Sequence, residues 1–397
     1  MLSPTVTRKA SSTALLAKSP FDRARKSAVE VANAITSLFG EATTAIKQKV
    51  AALGGAPGKA LGGVEFGAGD GFRQKFENGE IFLLPPNAPC WVHGAILAEY
   101  NALGAEGGFL GYPVTDERPT PDGAGRYNHF TNGSIYWSYG SGAHEVHGAI
   151  RDKWASLGWE QGWLGFPVEA ERPFTEGGRI SRFQNGAIYW WPDIGAVDLG
   201  TVTLRYRGIY CFGESDEASS ADEPYVVMGA VPVPGGSSAP PPSIRSPIYD
   251  DVDSGDERPD DIEIYRGNPF GLALGVALIE HDEGDPDSYL GLVKAGVDLA
   301  GKGVSAGCGA LFGADAAPVC DSIWSEIAPK IVSTVNDIIG SGDDLIGKTN
   351  LSISAKQMVM LAHQPWYRFW GIRYHFETEL LSDGDASYKA YFSVDPA

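Results

Sequence analysis

Hydrophobic positions along the 397-residue chain fall into two textures. The first half mixes short helical spacings with turn-flanked strand pairs. From Phe21, Val29, Val31, Ala32, Ile35 and Leu38 follow a helical period, and Ile46 and Val50 continue it. This pattern predicts one helix ending near Gly40 and a second opening the next segment. Ile150, Trp154 and Leu157 sit at helical spacing, and Gly158 supplies a C-terminal stop. Phe130, Ile135 and Trp137 flank Asn132-Gly133, a two-residue hairpin signal. The second half reads differently. Val202, Leu204 and Tyr206 alternate as a strand, as do residues from Ile372 to Leu380, and Tyr388 to Val394 predict a return strand. Val319, Ile323, Ile327, Ile331, Val335 and Ile338 mark one face of a helix. Residues 232–261, rich in Pro, Gly, Ser and Asp, read as a long loop.

The first-half pattern recurs. Asn-Gly pairs fall at Asn78-Gly79, Asn132-Gly133 and Asn185-Gly186, 54 and 53 residues apart. Gly94–Trp137 and Gly148–Trp191 each run through a helix, a tetrapeptide and a hairpin. The tetrapeptides are Leu110-Gly111-Tyr112-Pro113 and Leu164-Gly165-Phe166-Pro167. A weaker copy, from Ala45 to Leu84, carries Leu61-Gly62-Gly63-Val64 in that role. One such unit cannot bury its own apolar face, so units must stack or close.

This unit resembles the LGFP repeat, named for that tetrapeptide and found in cell-envelope proteins. The resemblance covers about residues 45–192, within a repeat domain of residues 45–199. It implies a propeller-like platform of three helix–hairpin repeats that attaches to cell-wall polysaccharide or another surface glycan. It also implies an extracellular or envelope location. Sugars stack on exposed aromatic faces, and the densest aromatics lie in these repeats. Trp163 precedes its tetrapeptide in a loop, and Trp191 lies beside Trp190 on the opposite strand face. These two, with Tyr112 and Phe166, are the expected glycan contacts. Trp137 and Trp190 occupy equivalent hairpin positions and are read as repeat core. His93 and His147, each before Gly-Ala-Ile, are read as helix-entry residues.

After Trp191, the acidic stretch from Glu214 to Glu223 leads into Pro224-Tyr225-Val226. Asp216 and Asp222 are six residues apart, as are Glu217 and Glu223. Val276 to Glu280 reads as a strand ending in acids, continued by Asp282, and Asp343-Asp344-Leu345-Ile346-Gly347 follows about sixty residues later. These segments resemble the calcium-loop signature of the C-two domains, β-sandwiches that bind calcium and phospholipid, with a helical insertion over about 288–339. The resemblance spans residues 200–397. It implies calcium held by Asp216, Asp222, Glu280, Asp282 and Asp344, followed by a lipid headgroup, glycan or protein ligand. Hard cations take six to eight oxygens, mostly from carboxylates. The expected fold is therefore α+β and multi-domain. A leader (1–20) and an N-terminal helix (21–44) precede the repeats, and an antiparallel β-sandwich ends the chain.

Composition refines this picture. A net charge of −19 argues against a nucleic-acid partner. Residues 1–60 nonetheless hold nine basic and three acidic residues. The start shows no signal-peptide-quality apolar stretch, and no transmembrane run is present. Cys308 and Cys320 are close enough to close a small disulfide loop, with free thiols as the alternative. No Gly-x-Ser-x-Gly, His-Glu-x-x-His or P-loop motif occurs. A non-enzymatic binding protein is the leading expectation. A cell-envelope hydrolase or acyltransferase and a secreted membrane-active toxin are the alternatives.

Overall fold

The computed structural model describes residues 28–215, 222–232, 243–281 and 344–397. The leader, the helical insertion, Asp216, Asp282, Cys308 and Cys320 lie outside the described residues. The chain forms two compact units, residues 1–151 and 152–397.

The first unit opens with helix α1 (Ala28–Ala52). The expected break at Gly40 does not occur. A glycine inside a helix costs about 1 kcal/mol relative to alanine, too little to stop one whose Ala42 and Ile46 are buried on both sides of the next turn. Four strands complete repeat one: β1 (Glu65–Phe66), β2 (Phe72–Phe76), β3 (Gly79–Leu83) and β4 (Cys90–Val92). Repeat two follows with α2 (Gly94–Ala102), β5 (Arg118–Pro119), β6 (Gly125–Phe130), β7 (Gly133–Ser138) and β8 (Gly142–His147). Repeat three comprises α3 (Gly148–Ser156), β9 (Arg172–Pro173), β10 (Arg179–Phe183), β11 (Gly186–Trp191) and β12 (Gly195–Leu199). In each repeat the strands form a four-stranded antiparallel meander.

The same hydrogen bonds tie the tetrapeptide to the hairpin turn in every copy. In repeat two, Asn132 N donates to Leu110 O (3.1 Å) and Thr131 N to Tyr112 O (2.9 Å). The Asn132 Nδ2 donates to Phe109 O (2.9 Å), and Pro113 bridges Phe130. Repeat three repeats this with Asn185 to Leu164, Gln184 to Phe166, the Asn185 Nδ2 to Trp163 O and Pro167 against Phe183. In repeat one the partners are Asn78 to Pro57, Glu77 to Lys59, the Asn78 Nδ2 to Ala56 O and Ala60 against Phe76. The tetrapeptide of repeat one is therefore Pro57-Gly58-Lys59-Ala60, and the expectation of Leu61–Val64 is corrected. The glycine has positive φ in all three copies: Gly58 81°, Gly111 68° and Gly165 72°. A side chain there is strained, so this residue survives where its neighbours change.

The loop also needs space beneath it. A Cβ on Gly133 would stand 2.5 Å from the Leu110 side chain, so the Asn-Gly glycine lets Leu110 pack under the turn. Tyr112 in turn lies against the Gly67–Gly71 turn of repeat one and donates its hydroxyl to Ala68 O (2.7 Å). A Cβ on Gly71 would overlap the Tyr112 ring. Arg73 and Glu106, 3.6 Å apart, add a half-buried ion pair between the same two repeats.

In the second unit, repeat three shares one hydrophobic core with the strands that follow. One sheet runs β16 (Glu257–Gly267), β13 (Val202–Gly213), β23 (Ser387–Pro396), β21 (Phe376–Glu377), with β22 (Leu381–Ser382) also on β23. The other runs β15 (Ser243–Arg245), β14 (Pro224–Pro232), β17 (Gly271–Glu280), β18 (Asp344–Ser354). All pairings are antiparallel. Leu204 and Tyr206 from the first sheet join Val226, Met228, Leu274 and Val276 from the second in that core. Helix α4 (Ala355–Leu361) starts with a capping box: Ser354 Oγ accepts from Gln357 N (3.2 Å), and Gln357 Oε1 from Ser354 N (2.9 Å). A short hairpin, β19 (Tyr367–Phe369) and β20 (Ile372–Tyr374), follows. The expected loop at 232–261 is corrected in two places, since Ser243–Arg245 and Glu257–Gly267 are strands. Pro259 is tolerated there because β16 is an edge strand, and the register shifts beside it.

The packing of Tyr112 on Gly71 is testable. Gly71→Ala should cost about 1–3 kcal/mol by overpacking in urea unfolding. In a Tyr112→Leu background the same substitution should be close to neutral, and the double-mutant cycle reads that coupling directly.

Candidate functional site

The sequence-predicted aromatics separate by burial. Trp163 is 44% exposed, while Trp191, Tyr112 and Phe166 are 0, 6 and 5% exposed. The glycan-contact expectation is therefore corrected for the last three, whose rings have no face left for a sugar. Trp191 donates its Nε1 to Thr175 O (3.0 Å) inside the shared core of the second unit. Its neighbour Trp190, expected in the core, is only half-buried. Strand alternation separates the two faces correctly, and packing against the following strands makes Trp191's face the inner one.

Trp163 is held by its edge. Its Nε1 donates to Asp198 Oδ2 (2.9 Å), and its ring abuts Gly186, where any Cβ would come within 2.8 Å of it. Lys153 Nζ lies 2.8 Å from Asp198 Oδ1. Burial pulls the Asp198 carboxyl upward, but the hydrogen bonds from Lys153 and Trp163 outweigh it and hold the group below its ordinary range. An indole face beside a carboxylate and an ammonium is thus fixed at the surface. The matching loop position in repeat two is Phe109, 46% exposed and tilted against His147 with ring centroids 4.7 Å apart. Sequence reasoning missed Phe109, although its equivalence to Trp163 was visible in the repeat alignment.

A second arrangement lies wholly within the first unit. A cleft of about 380 Å³ is lined by His93, Gly94, Ala95, Ile96, Glu117, Arg126 and Trp137. Trp137 stands opposite Arg126 across β6 and β7. His93 Nε2 lies 3.4 Å from Glu117 Oε2, and Arg126 Nε 3.7 Å from Glu117 Oε1. Trp91 stacks on the His93 ring with centroids 3.9 Å apart. Burial raises the Glu117 carboxyl, partly countered by Arg126. Burial, then the Arg126 charge, lowers His93 below its ordinary 6.5. His93 is the N-cap of α2, the helix entry read from sequence, and Trp137 packs against the repeat core; both also line the cleft.

The acidic residues of the second unit divide. Glu280 stands directly opposite Asp344 across β17 and β18, and opposite Pro224 across β14. Asp222 is a buried structural acceptor. It is 1% exposed and accepts from Ser215 N (3.0 Å), Ser215 Oγ (2.7 Å) and Tyr388 Oη (2.6 Å). Its oxygens are committed to the fold, which corrects the metal expectation for this residue. Asp216 and Asp282 lie outside the described residues. Among the described residues no three His, Cys, Asp or Glu side chains gather as a metal set. Cys90 and Cys211 are buried and free, and burial with the Asp116 charge pushes the Cys90 thiol up to about 11.

Comparison with known proteins agrees with this geometry. Residues 62–108, 110–162 and 164–206 match the LGFP repeat family. The chain therefore carries three LGFP repeats, a unit that occurs in cell-envelope proteins. No curated protein matches the chain. Among the described residues no helix is long and apolar enough to cross a membrane.

One histidine near this region sets an acid response. Burial, then Arg151 and Arg118, push His129 from 6.5 down to about 4. Between those values the unfolded chain binds a proton that the folded chain does not, so stability falls as pH drops through that window. His129→Gln should remove this contribution. After discounting for solvent screening it should be less acid-labile by on the order of 1 kcal/mol between pH 7 and 4.5, read as a smaller loss of urea midpoint than in the parent chain.

Proposed function

We propose that this is a non-enzymatic surface-binding protein whose LGFP repeats hold a polysaccharide on exposed aromatic platforms. The observation that supports it most is the paired exposure of Phe109 and Trp163 at one loop position in successive repeats. Sugar rings present C–H faces that pack on such aromatics, and hydroxyls then find nearby carboxylate and ammonium groups. Asp198 and Lys153 supply both beside Trp163. Repeated weak contacts along a polymer add through effective concentration. The occurrence of this repeat in cell-envelope proteins supports an extracellular or cell-envelope setting.

Each platform contact is worth on the order of 1 kcal/mol, about fivefold in affinity. The Phe109→Ala, Trp163→Ala chain should elute from insoluble cell-wall polysaccharide at least fivefold earlier while melting like the parent. Unchanged retention would remove the platforms from the function.

For the second unit the reading is a calcium-dependent role at the end of β17 and β18. It is supported by the resemblance of this region to C-two calcium loops and by the Glu280–Asp344 pair. Like charges directly opposite on antiparallel strands destabilise one another, and a hard cation would offset that repulsion. A lipid headgroup or other anionic ligand would then approach the metal. Titration calorimetry of the chelator-stripped full chain should show saturable calcium binding that is lost in Glu280→Gln, Asp344→Asn. Heat changes equal to those of dilution would end this part of the proposal.

A further inference from the structure

Equivalent positions in the three repeats act as an internal comparison. Pairing registers align Val64, Phe72 and Leu83 of repeat one with Glu117, Arg126 and Trp137 of repeat two. The same registers align both sets with Glu171, Arg179 and Trp190 of repeat three. In repeat three Arg179 donates to Glu171, the counterpart of the Arg126–Glu117 ion pair. Repeats two and three thus share a carboxylate, a guanidinium and an indole. Repeat one replaces all three with aliphatic and aromatic side chains.

The reason lies in helix α1. Its C-terminal part, with Ile46 and Val50 and Leu53 just past its end, corresponds to α2 with Ile96 and Tyr100 and its C-cap Leu103. Its N-terminal extension has no counterpart in α2, which begins at Gly94. Leu38, Phe39 and Ala42, with Ala45, pack on Val64, Phe72 and Leu83. Phe39 meets Phe72 edge-on with centroids 5.4 Å apart. The chain's own helix fills this place in repeat one, and the residues beneath are apolar to match. In repeat two the helix lacks this extension, and the same place is the cleft.

We propose that the repeat-two cleft is a binding pocket for a single neutral pyranose ring, with Trp137 as stacking face, Glu117 as acceptor and Arg126 and His93 as donors. This rests on the glycan reading and assigns it a specific residue set separate from the Phe109 and Trp163 platforms. The cleft's 380 Å³ is at the small end of ligand pockets, which run from about 300 to 1,000 Å³, and suits one ring rather than a chain. A vicinal diol offers two donors and several acceptors. The Glu117 carboxylate can accept both hydroxyls while the Arg126 N–H groups donate to their oxygens. Charges also suit a neutral ligand: Arg126 balances Glu117, and His93 is uncharged near neutral pH. Glu117 is 12% exposed and Arg126 47%, so the acceptor is fixed within the wall and the donor can swing onto the ligand. Trp91 stacked on His93 holds the imidazole edge toward Glu117.

Saturation-transfer NMR on the full chain with methyl glucoside, galactoside and mannoside pyranosides tests the assignment. At least one sugar should show transfer, and Glu117→Gln and Arg126→Gln should each reduce it at least fivefold. Replacing the trio by the repeat-one set (Glu117→Val, Arg126→Phe, Trp137→Leu) should abolish it with the melting temperature retained. Transfer should persist in Phe109→Ala, Trp163→Ala, whose polysaccharide retention is reduced. Absence of transfer from all three sugars, with polysaccharide retention intact, would overturn the pocket and leave the platforms standing. Transfer unchanged by both single substitutions would also overturn it, because the sugar would then sit elsewhere.

Discussion

The backbone clamp between tetrapeptide and hairpin turn is the constraint on which each repeat depends. Two amide donors and one asparagine side chain reach back from the turn to the loop in all three copies. Buried backbone groups must be paired, and here the pairing itself sets the direction in which the loop leaves the helix. The positive-φ glycine at its centre makes the reversal possible. Side chains then adapt to context. The residue after that glycine is Tyr112 where it seats on the Gly67–Gly71 turn, and exposed Lys59 in repeat one, which follows a helix instead of another repeat.

The regular part of this design was legible in the chain. Asn-Gly spacing located three hairpins, and Leu110, Leu164 and the prolines marked two of the loops. The first loop was not legible, because Pro57-Gly58-Lys59-Ala60 keeps only the glycine. Its identity resides in hydrogen bonds that do not depend on side chains. Alternation likewise put Trp190 and Trp191 on opposite faces without telling which face is inner. The difference between Trp191 and its equivalent Ser138 was the available clue, because a large apolar residue replaces a small polar one where another layer packs.

The cleft was hidden for a different reason. His93, Glu117, Arg126 and Trp137 come from four separate segments, and each has an ordinary structural reading alone. Their significance appears only when registers place the same positions of three repeats side by side. Asp222 shows the reverse error. Its motif spacing suggested a ligand, but a buried carboxylate takes whatever donors surround it, and Ser215 and Tyr388 donate to its oxygens.

The core shared by repeat three and the two C-terminal sheets bears on how such a chain can be reshuffled in evolution. In a solenoid of independent units, a gene fusion can cut between any two repeats. Here a cut after β12 would strip Tyr189 and Trp191 of their packing partners and expose the inner faces of the sheets. The third repeat should therefore travel with the C-terminal sheets whose core it shares. Lineages that gain or lose copies should do so upstream of α3, leaving the last repeat as a fixed adaptor between a variable array and an invariant terminal fold.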